Sequence, residues 1–260
     1  MRRLAIAMLL AALAVGCRTT TTTVAGVEVP AAKSEADPRK RAEIRTELAS
    51  SYYREGRLAV ALEETQRALQ IDSRYAPAHG LLGLIYMDIG DRREAEASFG
   101  RALRLEPDNS DILNNFGWFL CQTGRERESV EYFQRAANNR LYATPGVAMR
   151  NAGVCLAKVN DLDGAERALR RALELDASDG ITKVQLARLY LRRNQPDRAE
   201  FYYGLLDPAS RVSAPGLWLG LRIARANGDL RRERDLANQL RERYPDSPEA
   251  AALRRGAFDE

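Results

Sequence analysis

A single histidine, three cysteines and two tryptophans are all that 260 residues hold of these types, and each shortage removes a class of function. His79, the lone histidine, stands beside Pro77 at what reads as a helix start. No serine or cysteine nucleophile lies at a triad spacing from it, so neither histidine-assisted nucleophilic catalysis nor a histidine-based metal cluster is expected. No strand pattern is found, and with it goes any GxGxxG or GxxxxGK[ST] phosphate loop, which needs a strand before it. No run of eighteen apolar residues occurs, which argues against a spanning helix. The formal net charge is +4. Setting aside Arg2 and Arg3, which fall in a segment expected to be removed, leaves about +2, with acids and bases interleaved. That pattern is a solvated surface and not the clustered basic face of a nucleic-acid binder. Carboxylate pairs such as Glu63 and Glu64 are placed on solvated helix faces. The sequence thus reads as a non-enzymatic protein with no cofactor, no metal, no small-molecule substrate and no nucleic acid.

Alanine, leucine, arginine and glutamate are plentiful, which suits helices. The pattern that organises them is a repeat. Cys121 and Cys155 lie 34 residues apart, and 34 is the period of tetratricopeptide helix–turn–helix units. The pattern of a Leu–Gly/Ala pair, an aromatic, a turn Gly, a helix-B Ala, a second aromatic and a terminal Pro is met best in 76–109, by Leu82-Gly83, Tyr86, Gly90, Ala95, Phe99, Ala102 and Pro107. It is also met in 42–75 and 110–143, the latter with Ser129 where Ala is usual. The period slips by two residues at Thr144-Pro145 and resumes in 146–179, 180–213 and a degenerate 214–247. Asn160 and Asn194 replace the turn glycine in two units, which asparagine tolerates in a left-handed helix end. The expected fold is all-α: a superhelix of about six units over 42–258, closed by a capping helix at Pro248–Phe258. The small residues are expected where helices A and B of a unit approach closely, and the slip is expected to bend or loosen the stack.

The first seventeen residues, MRRLAIAMLLAALAVGC, combine a basic start, an apolar stretch at Leu4–Val15 and a small residue, Gly16, before Cys17. This is an export signal in form. It resembles the lipobox of bacterial lipoproteins, with Ala14 standing where that pattern prefers leucine, and implies a signal peptide over 1–16 and lipidation of Cys17. Arg18, in the place where aspartate would retain a lipoprotein at the inner membrane, implies the outer membrane, facing the periplasm. Residues 17–41, with five consecutive threonines at Thr19–Thr23, show no helical period. They read as a flexible tether reaching on the order of 25 Å.

Marching the outward slots of helix A along the units gives Ser50 and Tyr53, then Leu84 and Met87, then Trp118 and Cys121. Tyr53, Leu84, Met87 and Trp118 are therefore the candidate lining of a partner-binding groove, since large apolar residues at exposed slots mark interaction sites. Trp118 folding into its neighbours is the competing reading. Arg150, Lys158, Arg188 and Arg192 occupy comparable later slots, so the groove turns basic or simply carries solvated charge. The slots that a carboxylate clamp would fill with Lys, Asn and Arg hold Thr46, Ser50 and Asn115, which rules that clamp out. Two cysteines left in an exported protein tend to pair, and side chains on adjacent helices reach disulfide range. Two buried free thiols are the other reading.

The wording at the centre of the chain, NNFGWFLCQTG, then YFQRAANNRLYATP, then NAGVCLAK, resembles the type IV pilus biogenesis and stability lipoproteins, the PilF/PilW pilotins. The likeness runs from the lipobox to the sixth unit. It implies a lipoprotein that binds the secretin and helps it localise and multimerise in the outer membrane, in the service of twitching motility. It also implies a disulfide between Cys121 and Cys155. The broader expectation is a monomeric scaffold lipoprotein for another envelope machine, such as peptidoglycan synthesis or outer-membrane protein assembly.

Overall fold

A computed structural model describes residues 37–258. The expected signal peptide, Cys17 and the tether up to residue 36 lie outside them. The described residues form fourteen helices and no strand. They pair as A and B helices: α1 (Pro38–Arg54) with α2 (Leu58–Ile71), α3 (Ala76–Ile89) with α4 (Arg92–Leu105), and α5 (Ser110–Gln122) with α6 (Glu126–Asn138). After these come α7 (Pro145–Lys158) with α8 (Leu162–Leu175), α9 (Gly180–Arg192) with α10 (Pro196–Gly204), a short α11 (Pro208–Val212), α12 (Ala214–Ala226) with α13 (Leu230–Arg243), and α14 (Pro248–Arg255).

The turn between the two helices of each unit is set by one residue with left-handed backbone: Gly56, Gly90, Gly124, Asn160, Asn194 and Gly228. Successive members are 34 residues apart except Gly124 and Asn160, which are 36 apart. The repeat and its two-residue slip are thus visible in backbone angles alone. Asn160 and Asn194 are the only non-glycine residues with positive φ among the described residues, as expected of the residue that bears that conformation best after glycine.

The second, third and fourth units close through a glycine on helix A facing a large residue on helix B. A Cβ added at Gly83 would stand 2.8 Å from the Phe99 ring, one at Gly117 2.9 Å from Phe133, and one at Gly153 2.6 Å from Leu169. Phe99, Phe133 and Leu169 are themselves buried. Phe99 also fills the space between units: its ring centroid lies 5.7 Å from those of Phe116 and Phe119 on α5 of the next unit. The helix-B alanines Ala61, Ala95, Ala165 and Ala199 are fully buried. So is Ser129, whose hydroxyl donates to the Glu126 carbonyl at 2.6 Å and thereby satisfies its polar atom where alanine needs nothing.

Three expectations need correction. The first helix starts at Pro38 and not at residue 42, because Asp37 accepts the Arg39 N–H and Pro38 occupies the first helical position. The fifth unit is not a regular pair. Its helix B, α10, stops at Gly204, and α11 is inserted before α12, started by the Asp207 side chain accepting the Ser210 N–H. The slip does not loosen the stack either. The contact from α6 to α7 across it is more extensive than any other passage from one unit to the next. Ala136 on α6 and Ala148 and Ala152 on α7, all fully buried, allow that close approach.

Across the same junction Cys121 of α5 is bonded to Cys155 of α7, with Cα atoms 5.8 Å apart. Both residues are fully buried in a cluster with Leu113, Phe133, Ala136 and Ala152.

Two stability experiments follow from this packing. Gly83→Ala is expected to destabilise the fold by about 1–3 kcal/mol, the usual cost of overpacking. Gly100→Ala, whose Cβ would meet nothing nearer than an Arg104 guanidinium nitrogen at 3.5 Å, is expected to be neutral or to gain up to about 1 kcal/mol of helix propensity. Urea unfolding of the two variants measures the difference. Replacing Cys121 and Cys155 together by serine is expected to remove roughly 4 kcal/mol of loop-closure stabilisation. Thermal melts of that variant should fall by roughly 10 °C, and an unchanged melt would show that the bond contributes nothing.

Candidate functional site

Successive A helices touch one another more extensively than successive B helices do, so the stack curves towards the A side and presents an inner face built from helices α1, α3, α5, α7, α9 and α12. At its N-terminal end a cavity of about 190 Å³ lies between α1, α3 and α5. Thr46, Ser50, Leu84, Asp111 and Asn115 contribute to its wall. The lining is neutral, apolar or acidic. The residues that disqualify a carboxylate clamp in the sequence, Thr46, Ser50 and Asn115, are gathered here in one place.

The four candidate groove residues are all placed on A helices, but none stands out into solvent. Leu84 and Met87 pack against the Phe99, Phe116, Phe119 and Leu120 cluster. Tyr53 packs against Ala49, Leu81 and Ile85, and its hydroxyl donates to the Asp88 carboxylate at 2.7 Å. Burial and that anionic acceptor raise the Tyr53 pKa well above the ordinary phenol value. Trp118 lies against the cluster around the disulfide, which is the competing reading of its role. Cys121 occupies a slot expected to face outward and is fully buried instead. The reason is geometric: an A helix has its own B helix on one side and neighbouring A helices on the others, so few of its slots remain open. Leu84 alone of the four lines the N-terminal cavity.

Further along, the same face becomes basic. A second cavity, of about 220 Å³ between α7 and α9, is lined by Lys158, Arg188 and Arg192 together with Gly153, Val154 and Ala157. Arg150 does not join them. It forms an ion pair with Asp179 at 2.5 Å, largely out of solvent. Burial opposes the charge on Asp179, but the Thr182 hydroxyl and the Arg150 guanidinium outweigh it and hold the carboxyl below its ordinary pKa. A third cavity of about 440 Å³, between α9, α12 and α14, shares Arg188 and Arg192 with the second and adds Trp218, Arg222 and Arg255. These last three were missed in the sequence. Arg222 lies one period after Arg188, so extending the march of slots into the degenerate sixth unit would have found it.

Residues 81–147 match the tetratricopeptide repeat family. The chain is similar to the crystal structure of PilW, described as a widely conserved type IV pilus biogenesis factor: the identity is 32%, the TM-score 0.75, and the match covers 82% of this chain and 98% of that one. It is 25% identical over 203 residues to the type IV pilus assembly protein PilF of Pseudomonas aeruginosa, covering 78% of this chain and 81% of that protein. The solved structure of PilF from the same organism shares the fold with a TM-score of 0.72 at 24% identity, over 84% of this chain and 99% of that one.

Two titratable groups of the first two units are buried. Glu64 was expected on a solvated face but is only 7% exposed, because it ties α1 to α2. It accepts from Arg45 at 2.5 Å and Arg67 at 2.6 Å, and the Arg45 hydrogen bond leads in holding its pKa below the ordinary value. His79, 7% exposed, points Nε2 at the Ser73 carbonyl oxygen at 3.0 Å. A carbonyl only accepts, so Nε2 carries the proton of the neutral ring. Burial lowers the His79 pKa, and the charges of Arg101 and Arg104 act in the same direction. The unfolded chain therefore takes up this proton at a higher pH than the folded one. As pH falls through the ordinary histidine value of about 6.5 the fold loses stability, down to the lowered folded value. Chemical denaturation between pH 7.5 and pH 5.5 is expected to show that loss, and His79→Gln, which keeps a donor for Ser73, is expected to flatten it.

Proposed function

Because the chain belongs to the tetratricopeptide-repeat family of type IV pilus biogenesis proteins that includes PilW, we propose that it is the pilotin of such a system: an outer-membrane lipoprotein that binds the secretin and promotes its localisation and multimerisation. The observation that carries the reading is the extent of the likeness. It spans 98% of PilW at 32% identity, whereas a repeat motif alone, as in residues 81–147, is common to scaffolds of many kinds. Cys17, at the end of an export-type segment, supplies the anchor, since acyl chains hold a protein on a bilayer in proportion to the methylenes they bury. The repeat stack supplies the grip. Leu84, on the wall of the N-terminal cavity between three A helices, is the residue through which the secretin contact runs.

A strain lacking this protein is expected to hold secretin as monomers or small assemblies and to carry no surface pili; normal heat-stable secretin multimers there would refute the proposal. In pull-downs from detergent-solubilised outer membrane, Leu84→Glu is expected to weaken secretin capture tenfold or more, equivalent to about 1.4 kcal/mol or above, with helicity by circular dichroism unchanged. Recovery of a peptidoglycan synthase or an outer-membrane protein insertion factor, with no secretin, would replace this reading by that of a scaffold for another envelope machine.

A further inference from the structure

Because each A helix runs out to a left-handed turn and its B helix runs back, the turns lie along one edge of the stack and the links from unit to unit along the other. The linking edge changes character along its length. Its first two links, 72–75 and 106–109, carry no exposed large apolar residue. From the third link onward four stand out: Leu141 between α6 and α7 is 92% exposed, Ile181 in the first turn of α9 57%, Leu205 after α10 46%, and Val212 at the end of α11 40%. The repeat does not dictate them. At the place of Leu205 the first four units have Arg67, Arg101, Arg135 and Arg171. Leu141 sits in the link that holds the two extra residues of the slip. Ile181, Ala209 and Pro215, all exposed, line one cavity of about 580 Å³, so apolar surface runs on from α9 across α11 to α12.

A cation accompanies three of the four. Arg140 precedes Leu141, Lys183 follows Ile181 by two residues, and Arg211 precedes Val212. Among the described residues none of these cations has a carboxylate partner. The carboxylates of the same edge are engaged instead: Asp179 with Arg150 at 2.5 Å, Asp176 with the Ser178 hydroxyl at 2.6 Å, and Asp207 with the Ser210 N–H at 2.9 Å. On the opposite edge the exposed large apolar residues are Ile89 and Leu230, in the second and sixth units.

We infer that the linking edge from the third unit to the sixth rests on an anionic phospholipid surface. Leu141, Ile181, Leu205 and Val212 enter the apolar boundary, and Arg140, Lys183 and Arg211 meet lipid phosphates. Charge decides the occupant: cations without acids, set beside exposed apolar side chains, are the composition of an interfacial membrane-binding face, and an anionic leaflet attracts them. Adjacent A helices about 10 Å apart put the first and last of these links roughly 20 Å from each other. A protein partner would have to supply acids and apolar residues in register at three separate links, whereas a leaflet offers phosphate and acyl chain at every point. The inference rests on the anchor proposed at Cys17, which alone fixes no orientation. Setting this edge down keeps the inner face, built from the sides of the A helices, off the bilayer.

The test uses the chain lipidated at Cys17 and reconstituted into phosphatidylethanolamine vesicles containing phosphatidylglycerol and a lipid with a nitroxide on its acyl chain. Cys121 and Cys155 are bonded to each other, so Leu141→Cys or Ile89→Cys supplies the one free thiol for an environment-sensitive fluorophore. Quenching at position 141 is expected to be at least threefold that at position 89, on the opposite edge. It is expected to fall by half or more when phosphatidylglycerol is left out, and likewise when Arg140→Glu and Lys183→Glu are combined, with thermal melts unchanged. Equal quenching at the two positions, or quenching at 141 that ignores both the lipid charge and the charge reversals, would overturn the inference. So would a response at 141 that requires added outer-membrane proteins, since the edge would then belong to a protein partner. Failure of the chain to float with the vesicles would refute the anchor at Cys17, on which the pilotin reading and this inference both rest. Flotation without quenching at 141 would refute this inference alone.

Discussion

The close approach of helix A to helix B within each unit, made possible by Gly83, Gly117 and Gly153 against Phe99, Phe133 and Leu169, is the constraint on which the rest of the chain depends. A side chain larger than hydrogen at those glycines would separate the pair, and packed interiors do not absorb even one methyl group without cost. Because the contact recurs at the same interval as the left-handed turn, the second, third and fourth units close in the same way. The inner face is a consequence of that sameness.

The two-residue insertion between Gly124 and Asn160 is, beside the extra helix α11, where regularity is given up. The A-to-A contact falls at α5 to α7 and stays as small from α7 to α9 and from α9 to α12, while the passage from α6 to α7 is closer than any other between units. The stack changes which helices carry the junction without becoming looser. A disulfide from α5 to α7 ties the pair that the change would otherwise leave apart. Trp118 lies against that cluster, so its bulk serves the junction.

Much of this fold could be read from sequence because its controlling features are local. A left-handed turn needs glycine or asparagine, and a close helix contact needs a small residue; both leave marks at fixed intervals. The start of α1 at Pro38 was missed because apolar periodicity begins only at Ala42, although Asp37 followed by Pro38 is itself a start signal. α11 was missed for the same reason, at Asp207 followed by Pro208. The inner face was harder. Exposure of an A-helix slot depends on how far neighbouring A helices lean over it, a property of the stack and not of the helix, so sequence could not show that Tyr53, Met87 and Trp118 are half-buried against neighbouring clusters. The pairing of Arg150 with Asp179 lies equally beyond local sequence, since it joins α7 to the residue that caps the start of α9.

What the stack then does with its inner face is to vary it along one direction. The cavity between α1, α3 and α5 is neutral to acidic, and the two cavities over α7, α9, α12 and α14 are lined mainly by basic residues, though all are built on the same repeating backbone. A uniform groove would accept a bound chain in either direction and in several registers, because each unit would offer the same contacts as the next. Charge confined to one end removes that degeneracy. A segment with apolar residues at one end and acids at the other would, if reversed, set its acids against Asp111. Discrimination of this kind comes from the penalty on the wrong arrangement as much as from the gain in the right one. A repeat scaffold, whose weakness as a recognition surface is its own symmetry, acquires direction in this way without any change to its backbone.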